Sequence, residues 1–156
     1  MKVNIGRYPE GEDQRVVDIT IEEFDTWNMD STLALIIVPM LKQLKETKHG
    51  GPQVVDEDVP EAIRSTSAPA KKDDWDIDNF HFDRWNYVID EMIWAMGQVA
   101  NCTDDCFYDH TKVNEEDSIE DQIANISVDY EGLKAHHLRI KNGCMLFGKY
   151  FQALWD

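Results

Sequence analysis

With 156 residues, 42% of them hydrophobic, the chain has the material for one compact domain with its own core and leaves no room for a second. Its 31 Asp and Glu against 15 Lys and Arg give a formal net charge of -16, which repels nucleic acid polymers and anionic membranes at long range. The longest apolar run, Leu33 to Leu41 around Pro39, is far short of the roughly 18 residues of a bilayer-spanning helix.

The N-terminus MKVNIGRYPE has no apolar signal core, so a cytoplasmic location is expected, with Cys102, Cys106 and Cys144 held as thiols. Apolar residues alternate at Val3 and Ile5 and again at Val17, Ile19 and Ile21, with a turn-like PEGED stretch between them. Period two on both sides of a turn predicts a β-hairpin over residues 1–23.

Asp30 precedes Ser-Thr-Leu and is placed to cap a helix over 30–49, along which Leu33, Ile36 or Ile37, Met40 and Leu44 recur at helical spacing. Pro39 removes one backbone bond and is expected to kink it, and Gly50-Gly51 ends it. Residues 52–78 hold three of the five prolines and read as a long, partly mobile connection.

A helix over 79–101 follows, with Trp85, Val88, Ile89, Met92, Met96 and Val99 on its buried stripe and Tyr87, Glu91 and Trp94 on a second face. That second face asks for a second neighbour. Residues 102–125 are acidic, with a short helix near 115–124, and Ile126 to Tyr130 reads as a short strand. Over 130–155, Leu133, His137, Ile140, Cys144, Phe147, Phe151 and Leu154 keep a 4-3-4-3-4-3 spacing and predict a final core-facing helix, with a bend at Asn142-Gly143. The fold class is α+β, predominantly helical: a hairpin followed by about three long helices in a single domain.

Charge is sorted along this chain. Residues 31–53 carry Lys42, Lys45 and Lys48 against Glu46, a net of +2, and residues 130–155 carry Lys134, Arg139, Lys141 and Lys149 against Glu131, a net of +3. Lysines at a helix C-terminus also offset its dipole by about 0.3–1 kcal/mol, which explains many such clusters without any ligand. Two basic ridges packed side by side would instead focus a positive pocket for a small anion. In that arrangement Lys45, Lys48, His49, Arg64, Arg139 and Lys149 meet phosphates, His136 faces the ligand, and Tyr150 or Trp94 stacks on a base. Gly50-Gly51 would add a backbone nest.

The stretches DTWNMDSTLALIIVPMLKQLKETKHGGP, DEDVPEAIRSTSAP, RWNYVIDEMIWA and LFGKYFQALWD together resemble a widespread family of small, uncharacterised proteins encoded by tailed bacteriophages. The likeness covers most of residues 24–100 and 128–156. It implies a phage origin and action in the cytoplasm of an infected bacterium, and carries no chemistry with it. This chain has Ser31 where the family often has His, and its 102–125 segment is short.

Two metal arrangements deserve weighing. Cys102, Cys106 and His110 would share one helical face as zinc ligands, but no fourth ligand is evident and unpaired thiols are the simpler reading. Asp90 and Glu91 on one helix with Glu115, Glu116, Glu120 and Asp121 on another would hold Mg²⁺ between helices, as in all-α nucleotide pyrophosphohydrolases, although acidic runs are usually solvated faces. His136 and His137 point about 100° apart on a helix, which places His137 on the apolar stripe as a core histidine.

No phosphate loop, nucleophile elbow or triad is visible. The sequence therefore favours a non-catalytic phage protein, without cofactor or metal, that captures a small anionic, nucleotide-type ligand such as a host defence signal. The alternatives are an acidic protein-interaction inhibitor or DNA mimic, and the Mg-dependent hydrolase. A homo-oligomer is expected because the Tyr87, Glu91 and Trp94 face and the C-terminal Trp155 both ask for cover.

Overall fold

The computed structural model describes residues 1–73, 75–114 and 116–155 and builds its core on one helix. That helix, α2, spans His81–Asn101. Its buried stripe, Trp85, Val88, Ile89 and Met92, is the one the 3.6-residue period picks out. Burying each such side chain stabilises by about 1.5–3 kcal/mol, an upper estimate because the unfolded chain already hides some of that area.

Helix α1, Met29–Thr47, packs along one side of α2, and helix α4, Tyr130–Lys149, along the other. The expected neighbour for the Tyr87, Glu91 and Trp94 face is therefore α4 of the same chain. The first helix begins one residue before the expected Asp30 cap and runs through Pro39. Asp30 lies in its first turn, where its charge faces the positive end of the dipole.

The segment between α1 and α2 is organised rather than partly mobile. Three short 3-10 turns, Asp56–Asp58, Glu61–Ile63 and Ser65–Ser67, carry it across the core, and Val54 and Val59 are buried against Trp85 and Tyr150. Asp56 ties two of the turns by accepting from the Ser65 backbone N–H at 2.7 Å and its hydroxyl at 2.6 Å. These bonds hold the Asp56 carboxyl below its usual range. Arg84, fully buried on α2, closes the segment with a paired bond to Asp78 at 2.9 and 2.6 Å and a third to the Ile63 carbonyl at 3.2 Å. The guanidinium holds the Asp78 carboxyl well below the ordinary carboxylate range.

Strands β1, Lys2–Ile5, and β2, Val17–Thr20, form the expected antiparallel hairpin, with Val3 opposite Ile19 and Ile5 opposite Val17. All residues of both strands are exposed. A second small ladder, β3 at Tyr108–Asp109 with β4 at Ser127–Val128, brackets the acidic segment and its short helix α3, Ile119–Ala124. The β4 strand and the short helix match the sequence pattern; the β3 partner does not announce itself there.

The last helix departs from its expected register and length. Gly143, Leu146 and Tyr150 are buried, whereas His137, Cys144 and Phe151 are exposed, a rotation of one residue from the apolar count. The cause is Gly143. A Cβ there would overlap Ala95 Cβ and sit 2.6 Å from the Glu91 carbonyl, so the backbones of α2 and α4 meet at this glycine and set the rotation of α4. The helix stops at Lys149, and residues 151–153 form a 3-10 turn instead of a continuation to 155.

Candidate functional site

The expected cations do not converge. Lys45 gives two bonds to Asp90, at 2.6 and 2.7 Å, across the α1–α2 seam. Arg139 makes a two-pronged pair with Glu91, at 3.0 and 2.7 Å, across the α2–α4 seam. Asp90 and Glu91 are neighbours on α2, so their side chains diverge by about 100° and Lys45 and Arg139 are held on different faces of that helix. Two of the carboxylates considered as magnesium ligands, Asp90 and Glu91, are thus the partners of cations considered as phosphate ligands.

Lys149 and Tyr150 form a third cross-link. Asp58, on the loop, accepts from the Tyr150 hydroxyl at 2.6 Å and pairs with Lys149 at 2.6 Å, while the Val55 N–H donates to the same hydroxyl oxygen at 3.3 Å. Burial and the Asp58 carboxylate push the Tyr150 phenol up to about 12. Its ring stands edge-on to Trp85, with centroids 5.8 Å apart, inside the core rather than open to a base.

Trp94, His136 and Arg139 do meet. The Arg139 guanidinium lies 3.9 Å from the centre of the Trp94 ring while bonded to Glu91, and that bond raises its basicity. His136 packs edge-on to Trp94 and against Phe107, and one ring nitrogen is 3.3 Å from the Thr103 hydroxyl. The roles expected for the histidines are exchanged: His136 is the enclosed one, and His137 is exposed and bonds Asp104 at 2.8 Å. The same one-residue rotation of α4 accounts for it. Arg stacked on Trp and tied to Glu is a preformed cation–aromatic clasp, which fixes α4 to α2 and leaves no open aromatic face for a base.

Lys48 reaches back to the Lys45 carbonyl at 3.0 Å, and burial together with Lys45 lowers its basicity. Arg64 holds the Val59 carbonyl at 3.4 Å. Gly50 and Gly51 have no left-handed backbone and form no nest, since Gly11 is the glycine with positive φ among the described residues. Gly51 serves a different need: a Cβ there would stand 2.7 Å from the Trp85 ring. His49 has an interaction partner of its own in the structure.

The zinc arrangement needed a helix through Cys102, Cys106 and His110, but α2 ends at Cys102 in the left-handed conformation and the chain turns away. Glu115 lies outside the described residues. Among the described residues, no group of three or more His, Cys, Asp or Glu is placed to hold a metal ion, and no helix is long and apolar enough to cross a membrane.

What remains on the surface is sorted into acid and oil. Glu10, Glu12 and Asp13 on the hairpin connection and Asp105, Asp109, Glu116, Glu120 and Asp121 beside α3 are all exposed. Separately, Ile37, Met40, Leu41 and Leu44 of α1 face Phe147, Phe151 and Leu154 across an apolar groove of about 480 Å³. The sequence spacing picked out the groove residues other than Leu41, the one of the α1 wall that is buried in the core, and read the α4 wall as core-facing. No family model, no curated protein and no solved structure matches the chain.

Proposed function

We propose that the chain is a non-catalytic binding protein whose target is a basic protein surface, of the kind that ordinarily meets nucleic acid phosphates. The observation that carries this reading is the pairing of cations across the helix seams: Lys45, Arg139 and Lys149 each hold a carboxylate of another element. With those cations engaged, the free acids on the hairpin connection and around α3 dominate the field outside the molecule. A surface of one sign steers an oppositely charged partner and repels DNA itself. The sequence resemblance to tailed-phage proteins is in keeping with this reading, since masking a host nucleic-acid-binding protein would be a coherent task for such a chain. Capture of a nucleotide by these groups would require the seam pairs to open, which strands the enclosed Glu91 and Asp58 carboxylates.

The test is a capture experiment from bacterial lysate against a variant with Glu116→Gln, Glu120→Gln and Asp121→Asn. A basic protein held by the natural chain, lost in the variant, released by salt and competed by duplex DNA supports the proposal. A thermal shift with a linear or cyclic nucleotide, in the absence of such a protein, overturns it in favour of small-anion capture. Nucleotide hydrolysis that depends on Mg²⁺ overturns it in favour of an enzyme.

A further inference from the structure

We infer that the α1–α4 groove is the docking site for a second copy of this chain, and that the occupant is the partner's N-terminal β-hairpin. The hairpin is tied to its own chain by the Met1 ammonium on Asp25 at 2.9 Å, while its apolar face is left uncovered. Two four-residue strands, exposed on both faces, are marginal in water by themselves, yet this pair gathers Val3, Ile5, Val17 and Ile19 on one face and leaves Lys2, Asn4, Asp18 and Thr20 on the other. Such sidedness is the signature of a sheet with one buried face. In its own chain this face stays between 39% and 56% exposed.

The groove has the complementary deficit. Its walls are apolar, Met40 and Phe151 are 66% and 61% exposed, and Trp155 at the C-terminal rim is 64% exposed. Its walls also come from the two stretches nearly free of acid: residues 31–53 hold Glu46 alone and residues 132–155 hold neither Asp nor Glu, in a chain with 31 carboxylates. The two stretches are accordingly net positive, at +2 and +4. A basic target does not suit this groove. An apolar segment with acidic flanks does, and residues 1–30 carry eight carboxylates against three cations beside the exposed Val and Ile face.

The arm does not occupy the groove of its own chain, because it leaves from the N-terminus of α1 and the groove lies along the far half. From Met29 to Leu44 the helix advances about 22 Å, so the arm of a second molecule, related by a two-fold axis, is the better-placed occupant. Reciprocal docking uses both surfaces on each protomer. At roughly 100 Å² for a fully exposed aliphatic side chain and ~150–250 Å² for an aromatic one, the exposed parts of Val3, Ile5, Val17, Ile19, Met40, Phe151 and Trp155 amount to about 500 Å² of apolar surface per protomer. A stable interface of standard size buries about 800 Å² per partner, much of it apolar.

Light scattering on the full chain should give twice the 18.1 kDa monomer mass at micromolar concentration. An arm variant, Ile5→Glu with Ile19→Glu, and a groove variant, Met40→Glu with Phe151→Glu, should each run as monomers with unchanged circular dichroism. Mixed together at raised concentration they should associate more weakly than the natural chain, since the intact arm of the second meets the intact groove of the first while the other contact is broken. A monomeric natural chain, a dimer that survives in both variants, or a mixture no more associated at that raised concentration than either variant alone overturns the inference. If either variant loses its fold, Ile19→Cys in a background of Cys102→Ser and Cys106→Ser gives an independent reading. Cys144 is exposed one turn before Phe147, so mild oxidation should then link Cys144 of one chain to the introduced thiol of another, and only monomer after oxidation overturns the inference.

Discussion

The two seams of α2 are built differently. Against α1, side chains interlock: Ala34 and Leu41 enter the stripe of Trp85, Val88 and Met92, and the ion pair Lys45–Asp90 sits at the exposed edge. Against α4, backbones approach: Gly143 lies against Ala95 and the Glu91 carbonyl, and the pair Arg139–Glu91 closes over Trp94 with the Glu91 side chain only 10% exposed. The first seam follows from volume and period. The second depends on the absence of one methyl group and on polar partners that are 48 residues apart. A seam held by side-chain area tolerates small adjustments, whereas one set by backbone contact does not.

The sharpest break of this contrast is Gly143→Val, which should force α4 from α2 and destabilise by about 3 kcal/mol or more, the upper end of overpacking. A fall in the denaturant midpoint with little change in slope is the expected readout. On the α1 seam, Leu41→Ala should cost about 2–3 kcal/mol through lost burial and a residual cavity, while near-ultraviolet dichroism of the Trp94 environment stays the same. An equal spectral change in both variants would show that the seams are one unit.

Tyr150→Phe comes next, at about 1–2 kcal/mol, because it removes the bond to Asp58 and strands the Val55 N–H. The same residue fixes an alkaline limit. Its folded-state value, about 12, lies above the unfolded value of about 10, so the neutral phenol is favoured by folding. That contribution is complete below pH ~10 and is lost as pH rises toward the folded value. Stability measured from pH 9 to 11 should fall in the natural chain more steeply than in Tyr150→Phe.

Lys45→Ala, at the exposed edge, should change stability by no more than about 0.5 kcal/mol at moderate salt, since its pair is solvated. Smallest of all, and opposite in sign, Gly148→Ala should stabilise by roughly 0.5 kcal/mol, because a Cβ there meets nothing and helical glycine is entropically costly. The two glycines of one helix would then differ in sign as well as size, which isolates Gly143 as the point of contact.

Local pattern was enough for the hairpin, the three long helices within a few residues, the α2 stripe and most residues of the groove. Each rests on a period of two or 3.6 that neighbours in sequence impose on one another. Tertiary structure alone decided which cations pair with which acids, why His136 rather than His137 is enclosed, and why the connection over 52–78 is held against the core by Asp56, Asp58 and Asp78. Charge counted along a chain carries no information about which flank of a central helix it will reach. Two basic stretches therefore read as one pocket until each cation is seen to pair with its own carboxylate, and the rotation of α4 is invisible until Gly143 meets a carbonyl from a helix packed beside it.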